Sequence, residues 1–542
     1  MTRGPASHEP GGARRTGWRW PEARNSIPSR RLDDWADGYT TDTMYLDEVN
    51  VDLCPASLSM VAVFNGQPPL PTSSGLTWLD LACGTGLGPC SVAAGNPNVE
   101  VWGVDYNPAH IERARHLAKA AGLDNCRFLE ASLEQVAGGT QPVPEEVDVV
   151  VVNGAYSWIS AANQRHVVEI IGQRLRPGGL ACVMYEVAPG WASMAPLAEV
   201  LRLLVDADGR PGSQAFHDAA QQLVDLRSNG ARYFPVGNRE AGQMDSWATA
   251  DGRYAAHEYL GAHFAPLLAD EVIGALAGAK CSYLGGLGAL EHHAYYSMPP
   301  GFGDLIEDLA DPLARELVRD LVLQRPLRRD LFRRGRASAT ADEERAWLHG
   351  LRIRGLGRRF VDEPFELPAF EVRLEPAFHA PLVEALDRGD LGIDSICAIH
   401  TDWPLGDAAA AMGLLVAAGY ATVVSGDEPS GAALAACGRL NDVLLAERRL
   451  GRPLGCVASP ATGAMLALDL VEVRAFDAIR EGIPAEPAPL VEFVESAFQA
   501  QGQVVREAGE LVHDADAARP IIERRVSTLL ERGEALHRLG VI

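Results

Sequence analysis

The feature that most constrains this chain is an alternation of short apolar runs with amphipathic stretches between Leu76 and Val187. Leu76–Ala82, Val99–Asp105, Arg127–Ala131, Val147–Val152 and Leu180–Val187 read as five strands. The fourth, VDVVVV, is apolar enough for burial on both faces, as in parallel strands covered by helices. Between the second and third, Pro108–Ala121 reads as a helix, with Asn107 as N-cap and Gly122 as its stop. Ala161–Leu175 reads as another, and the turn Arg176-Pro-Gly-Gly179 feeds the fifth strand. This order requires a parallel, doubly wound sheet, so the expected fold class is α/β with a Rossmann-like core.

With 542 residues, and roughly 100–200 residues per domain, the chain has room for further units. Beyond Trp191 it turns helical, with helices expected over Ser213–Arg227, Ala265–Gly278 and Pro312–Gln324. After a boundary near Leu374–Pro381, a helix over Ala408–Ala418 and a strand over Tyr420–Val424 suggest a winged-helix-like unit. Val504–His513 and Ala518–Leu539 read as helices. The expected division is a disordered, Gly-, Pro- and Arg-rich tail (1–35), a cofactor-binding core (36–200), a helical middle domain (201–375) and a winged-helix-like and helical C-terminal domain (376–542).

The segment Leu79-Asp-Leu-Ala-Cys-Gly-Thr-Gly-Leu-Gly88 places glycines directly after a strand. There the backbone must turn sharply and let a ligand approach without an intervening Cβ. Asp80 precedes the first glycine by four positions, unlike a dinucleotide fingerprint, which opens on glycine. An acid there suits a ligand ammonium rather than a pyrophosphate. Asp105 ends the next strand, where a carboxylate can accept both hydroxyls of a ribose. A ligand with an amino-acid ammonium, a ribose and no phosphate is S-adenosylmethionine (SAM). The expected cofactor set is Asp80, Gly84, Thr85, Gly86, Asp105, Tyr106, Asn153 and, at the adenine edge, Ser132. The alternative for the two acids is that they only cap loops.

Gly38-Tyr-Thr-Thr-Asp-Thr-Met-Tyr45, Val104-Asp-Tyr-Asn-Pro-Ala-His-Ile111, Tyr156-Ser-Trp158 and Pro189-Gly-Trp191 resemble class I methyltransferases carrying a methyltransferase regulatory domain. Among these are the rickettsial outer-membrane-protein lysine methyltransferases. Ala256-His-Glu-Tyr-Leu260, Arg328-Arg-Asp-Leu-Phe332, Ala458-Ser-Pro460 and Leu539-Gly540 extend the resemblance over about Asp37 to Ile542. It implies a SAM-binding core, a helical middle domain, a winged-helix-like C-terminal part, a dimer and methyl transfer to protein lysines. It also implies that Tyr39, Asp42 and Tyr45 fold over the cofactor. Two positions depart from the family pattern: Asn153 stands where His is usual, and Glu186 where Asn is usual.

Glu186 at the mouth of the fifth strand is the candidate to anchor a cationic acceptor and take its proton, the alternative being a salt bridge to a structural arginine. Tyr156, Trp158 and Tyr185 are candidates for an aromatic wall around the amine or methylsulfonium; for Tyr156 and Trp158 the alternative is core packing. Three readings stay open: methylation of a protein or peptide amine, methylation of a small molecule, and SAM binding without turnover.

The net charge of −24 from 48 Lys+Arg and 72 Asp+Glu argues against nucleic acid or anionic membranes, which are held by clustered cations. The arginine clusters Arg325–Arg329, Arg333–Arg336 and Arg352–Arg359 read as solvated helix faces. From Gly389 to Gly438 there is no Lys or Arg at all, so a winged helix there lacks cations for phosphates. Nine scattered cysteines without a C-x-x-C pair point to no metal site, no disulfide framework and a reducing cytoplasm. With only Lys119 and Lys280 as lysines, the principal acceptor is expected to be another molecule.

Overall fold

The computed structural model describes residues 37–39, 49–71, 75–234, 244, 247, 252–367, 370–426, 428–450, 455–507 and 510–542. The expected tail lies outside them. The apolar runs form β1 (Leu76–Leu81), β2 (Val99–Asp105), β3 (Cys126–Glu130), β4 (Val147–Val152) and β5 (Leu175–Glu186). They pair in parallel in the order β3-β2-β1-β4-β5. Around them lie α1 (Pro55–Phe64), α2 (Leu87–Gly95), α3 (Pro108–Ala120), α4 (Leu133–Ala137) and α5 (Ala161–Arg174). Helix α3 starts as its sequence requires, since Asn107 Oδ1 accepts from the Ala109 N–H at 3.0 Å ahead of Pro108, whose missing N–H costs nothing there.

Two further strands complete a seven-stranded sheet. β6 (Cys281–Gly286) and β7 (Leu327–Arg334) extend it to β5-β7-β6, and β7 runs antiparallel to both neighbours. The segment expected as a helical middle domain therefore supplies two strands of the core sheet. The Arg325–Arg329 cluster is also corrected. Arg328 is 1% exposed and Asp330 fully buried, the opposite of a solvated helix face. The Arg328 guanidinium bonds Asp320 at 2.8 Å, Asp330 at 2.9 Å and Glu316 at 2.6 Å. Helix Pro312–Leu323 turns its acids inward to meet it, and Asp320 is buried while Leu321 is 65% exposed. A buried charge persists only when paired and hydrogen-bonded, and this strand supplies both conditions. Arg354 is likewise buried, against Asp390.

Between β5 and β6 the chain makes a helical excursion through Ala195–Asp208, Gly212–Ser228 and Gly252–Tyr259. Its own small core includes Leu201, Phe216, Leu223 and Trp247. The excursion is closed at its base: Leu267 N–H donates to Glu186 O at 2.8 Å and Ala188 N–H to Leu267 O at 2.9 Å.

In the C-terminal part, strand Arg352–Gly355 pairs antiparallel with Ala421–Val424, and helices Pro376–Arg388, Ile393–Ile399 and Leu405–Ala417 lie between them. The last of these helices and Ala421–Val424 fall where the sequence places a helix and a strand, whereas the partner strand Arg352–Gly355 lies before the expected boundary near Leu374–Pro381. The expected helix over Val504–His513 is instead a hairpin of Val505–Glu507 and Glu510–Val512. Gly509 interrupts the helical pattern there, and each strand is too short to show an alternation. The expected long last helix is two, Ala515–Glu531 and Gly533–Arg538. Among the described residues, no helix is long and apolar enough to cross a membrane.

Candidate active site

Successive strand residues face opposite sides of the sheet. Trp78, Val149, Val151, Leu180 and Cys182 pack on one face, and Leu79, Val150, Val152, Ala181 and Val183 on the other. The same alternation assigns Asp80, Asn153 and Glu186, from the adjacent strand ends of β1, β4 and β5, to the Trp78 face. All three stand at the carboxyl edge, where open α/β sheets take their ligands.

The glycine loop is shaped by conflicting needs at its two glycines. A Cβ at Gly86, where φ is +81°, would overlap Ala114 and the Phe128 ring, so this glycine lets α2 pack against α3. Gly84, at φ +55°, faces nothing within 4 Å and leaves open space for a ligand. Thr85 between them is buried. The loop is tied to the second acid, since the Gly84 N–H donates to Asp105 Oδ2 at 2.9 Å and the Asn107 N–H to Oδ1 at 2.8 Å. The buried His110 ring sits behind that carboxylate, with Nδ1 3.4 Å from Oδ1.

Asp80 is buried, and its Oδ1 has no hydrogen-bond partner; Asn153 Oδ1 is buried and unpartnered in the same way. Both line a small cleft together with Val49, Asn50, Leu53 and Trp78. Burial, and then the charge of Asp105, push the Asp80 carboxyl up to about 8. Two orphaned acceptors converging on a cleft call for a ligand that donates hydrogen bonds, and the ammonium of SAM meets that need. The residues present fit the cofactor.

Tyr39 lies across this edge. Its ring packs edge-on to Tyr106 at 6.1 Å, and its hydroxyl is 3.2 Å from His257 Nδ1. Burial pushes both phenols well above their ordinary range. Tyr45 and Asp42 lie outside the described residues. Ser132 caps α4, its hydroxyl accepting from the Gln135 N–H at 3.2 Å while Gln135 returns the bond to the Ser132 N–H. Its side chain thus has a local structural task at the expected adenine edge.

At the mouth of β5 the Glu186 carboxylate accepts from the Trp191 indole N–H, and among the described residues no arginine pairs with it. Burial pushes its carboxyl up to about 8, the indole bond opposes that, and the nearby charge of Glu258 adds to it. Pro189-Gly-Trp191 explains the indole's position: a Cβ at Gly190 would overlap the Arg325 carbonyl, so only glycine lets this turn seat Trp191 over the carboxylate. Trp158 donates its indole N–H to Glu258 O at 3.2 Å, and Phe264 lies between Trp158 and Trp191, tilted to the first at 5.4 Å and edge-on to the second at 4.8 Å. Tyr156 is buried, and burial pushes its hydroxyl up to about 12. Tyr185 does not join the wall. Strand alternation turns it to the other face, where its hydroxyl donates to Asp330 at 2.6 Å within the Arg328 network.

Several contributors were absent from the expected set. Asn50 lines the cleft and is held by Arg329 Nη1 at 2.6 Å. His257 and Glu258 come from the excursion, and their motif, Ala256-His-Glu-Tyr-Leu260, was the available signal. Trp191 was visible in its motif but carried no role.

A glycine loop after β1, an acid closing β2 and a sheet ordered 3-2-1-4-5-7-6 with an antiparallel β7 define a class I methyltransferase. The family described as a methyltransferase domain matches residues 72–218, and that described as a predicted methyltransferase regulatory domain matches 251–334. The chain is a SAM-dependent methyltransferase with a regulatory segment. Its fold is similar to that of PKMT2 from Rickettsia typhi, solved in complex with AdoHcy, with a TM-score of 0.63 at 16% identity over 92% of this chain and 100% of that one. In sequence it is 25% identical over 368 residues to an uncharacterized protein of Synechocystis sp., covering 67% of this chain and 71% of the relative. An uncharacterized protein of Rickettsia prowazekii is 28% identical over 207 residues, 36% of this chain and 75% of that protein.

Proposed function

We propose that the enzyme transfers the methyl group of SAM to an amine, that of a lysine in a protein or peptide. The observation that carries this reading is the buried Glu186 carboxylate at the β5 mouth, with the Glu258 charge beside it and the Trp191 indole on it, backed in turn by Phe264 and Trp158. A buried carboxyl raised further by a neighbouring acid gains by meeting a cation. The resemblance to lysine methyltransferases points the same way.

The amine lone pair forms the N–CH3 bond as the C–S bond breaks, its electrons passing to sulfur. In-line transfer asks the protein mainly for alignment, but the ammonium must first lose a proton. Against a lysine reference of about 10.4, a carboxyl near its ordinary 4.5 is weaker as a base by about 6 units, or roughly 8 kcal/mol. With Glu186 pushed up to about 8, the gap falls to about 2.4 units, roughly 3 kcal/mol. At about 8 Glu186 is mostly protonated at pH 7 in the empty enzyme; an acceptor ammonium docking against it favours the ionised form, which then anchors the ammonium and accepts its proton.

The test is incubation with methyl-labelled SAM and cell lysate, resolved into protein and small-molecule fractions. Label on protein lysines is the expected result, reduced at least tenfold in Glu186→Gln. Label confined to small molecules would transfer the reading to a small amine, which the unpartnered Asn153 amide oxygen at the same edge could orient. A Glu186→Gln variant with full activity would remove Glu186 from the chemistry.

A further inference from the structure

The two helices that begin at the cofactor loops, α2 after Gly84–Gly86 and α3 after Asp105, are both backed by the C-terminal part of the chain. Helix Gly431–Arg449 lies along them and shares one apolar core, with Cys437, Leu440 and Leu444 among Cys90, Ala94 and Leu117. It grips α3 at two points. Near the start, Arg113 is 7% exposed and forms a two-pronged ion pair with Glu447, Nη1 meeting Oε1 at 2.5 Å. At the far end, Arg439 Nε donates to the Ala121 carbonyl at 2.8 Å and Nη2 to that of Gly122 at 3.2 Å. Behind α2, Asn96 Nδ2 donates to Gly463 O at 2.7 Å, and a Cβ on Gly95 would stand 2.6 Å from the Gly463 carbonyl carbon.

The grip on α3 leads by short steps to Asp105. Arg113 lies one turn after His110, whose ring is 3.4 Å from Asp105 Oδ1. His110 in turn lies three residues after Asn107, whose N–H holds that same oxygen at 2.8 Å. A helix moves as a unit over such a distance, so a tilt of α3 is a displacement of the carboxylate.

We propose that Glu447 is a positioning residue for cofactor binding: through Arg113 it holds α3, and with it Asp105, in the register that SAM requires. The C-terminal part is then a splint for the cofactor site. The two-point grip makes α3 rigid before the ligand arrives, and a preorganised site spends less of its binding energy on ordering. This proposal needs only the cofactor, so it stands or falls separately from the identity of the acceptor.

The experiment is calorimetric titration of the full chain with AdoHcy, together with SAM saturation kinetics once an acceptor is in hand. Glu447→Gln keeps the shape and removes the charge. The expected result is a Kd for AdoHcy raised about tenfold, equivalent to roughly 1.4 kcal/mol, with kcat at saturating SAM within about twofold of the parent. Reversing the pair, with Arg113→Glu and Glu447→Arg together, should recover much of the loss, since a coupled pair gives non-additive effects. Asp442→Asn breaks the exposed pair of the same helix with Arg480 and should leave Kd unchanged. If Glu447→Gln does not fold, Glu447→Asp, which keeps the charge one methylene short, is read in the same way. A folded Glu447→Gln or Glu447→Asp protein with parental Kd would overturn the proposal, and so would an Asp442→Asn protein weakened to the same extent.

Discussion

The Asp80 carboxyl makes a measurable claim about how SAM binds. Pushed up to about 8 by burial and by Asp105, it is roughly nine-tenths protonated at pH 7 in the ligand-free enzyme. A SAM ammonium placed against its unpartnered Oδ1 favours the ionised form and expels that proton. Binding at pH 7 should therefore release about 0.9 proton, and affinity should rise nearly tenfold per unit between pH 6 and 7. Above about 8 the gain ends, because the Asp80 carboxyl is by then ionised before the ligand arrives. The sign is opposite for the empty protein. An acid whose folded value is raised stabilises the fold below its unfolded value, 3.8, and that contribution is lost as pH climbs through 8. The loss runs at about 1.4 kcal/mol per unit in between. Calorimetry at one pH in buffers of different ionisation enthalpy counts the protons directly. Asp80→Asn should bind more weakly and release none. Parental enzyme that binds SAM at pH 7 with no proton release would refute the placement of the ammonium at Asp80.

Two further expectations concern stability and the acceptor mouth. Arg328→Leu leaves Asp330 buried without its counter-charge and Asp320 with only Arg325 at 3.4 Å, and should cost about 3–5 kcal/mol, read as a lower denaturant midpoint at unchanged m-value. Gly190→Ala drives a methyl into the Arg325 carbonyl and should cost about 1–3 kcal/mol as overpacking. Because that turn seats Trp191 on Glu186, Gly190→Ala should also depress activity while leaving AdoHcy affinity intact, as two titrations side by side would establish.

The first five strands are legible because each contains an apolar run, and the ends of β2 and β4 match the expected residues; β5 begins at Leu175, so the expected Arg176–Gly179 turn falls inside it. β6 and β7 were not legible. Leu327–Arg334 carries four arginines and an aspartate in eight residues, a pattern that reads as surface unless one knows that Glu316 and Asp320 arrive from the preceding helix. At the site, the residues whose chemistry is set by backbone position, Asp80, Gly84, Gly86 and Asp105, were identifiable from spacing. Those set by long-range packing were not. Tyr185 has the right residue type beside Glu186, yet the two-residue period of a strand sends it to the opposite face. Ser132 has a suitable hydroxyl, which the adjacent Gln135 draws into a helix cap. His257 and Glu258 are brought in from about 70 residues beyond β5, a distance no local pattern spans.

The position of β7 has a consequence for how the enzyme is made. Strand β5 ends at Glu186, and the strand that covers its far edge finishes only at Arg334. At synthesis rates of roughly 5–20 residues per second, that edge stays unpaired for roughly 7–30 s on the ribosome. An exposed strand edge is a template for pairing with any other chain. The growing chain therefore passes through a period in which its catalytic sheet is five strands wide and adhesive, and stopping synthesis after the excursion helices would leave it in that state. A gene fragment cut at the end of β5 should yield aggregate rather than a small methyltransferase.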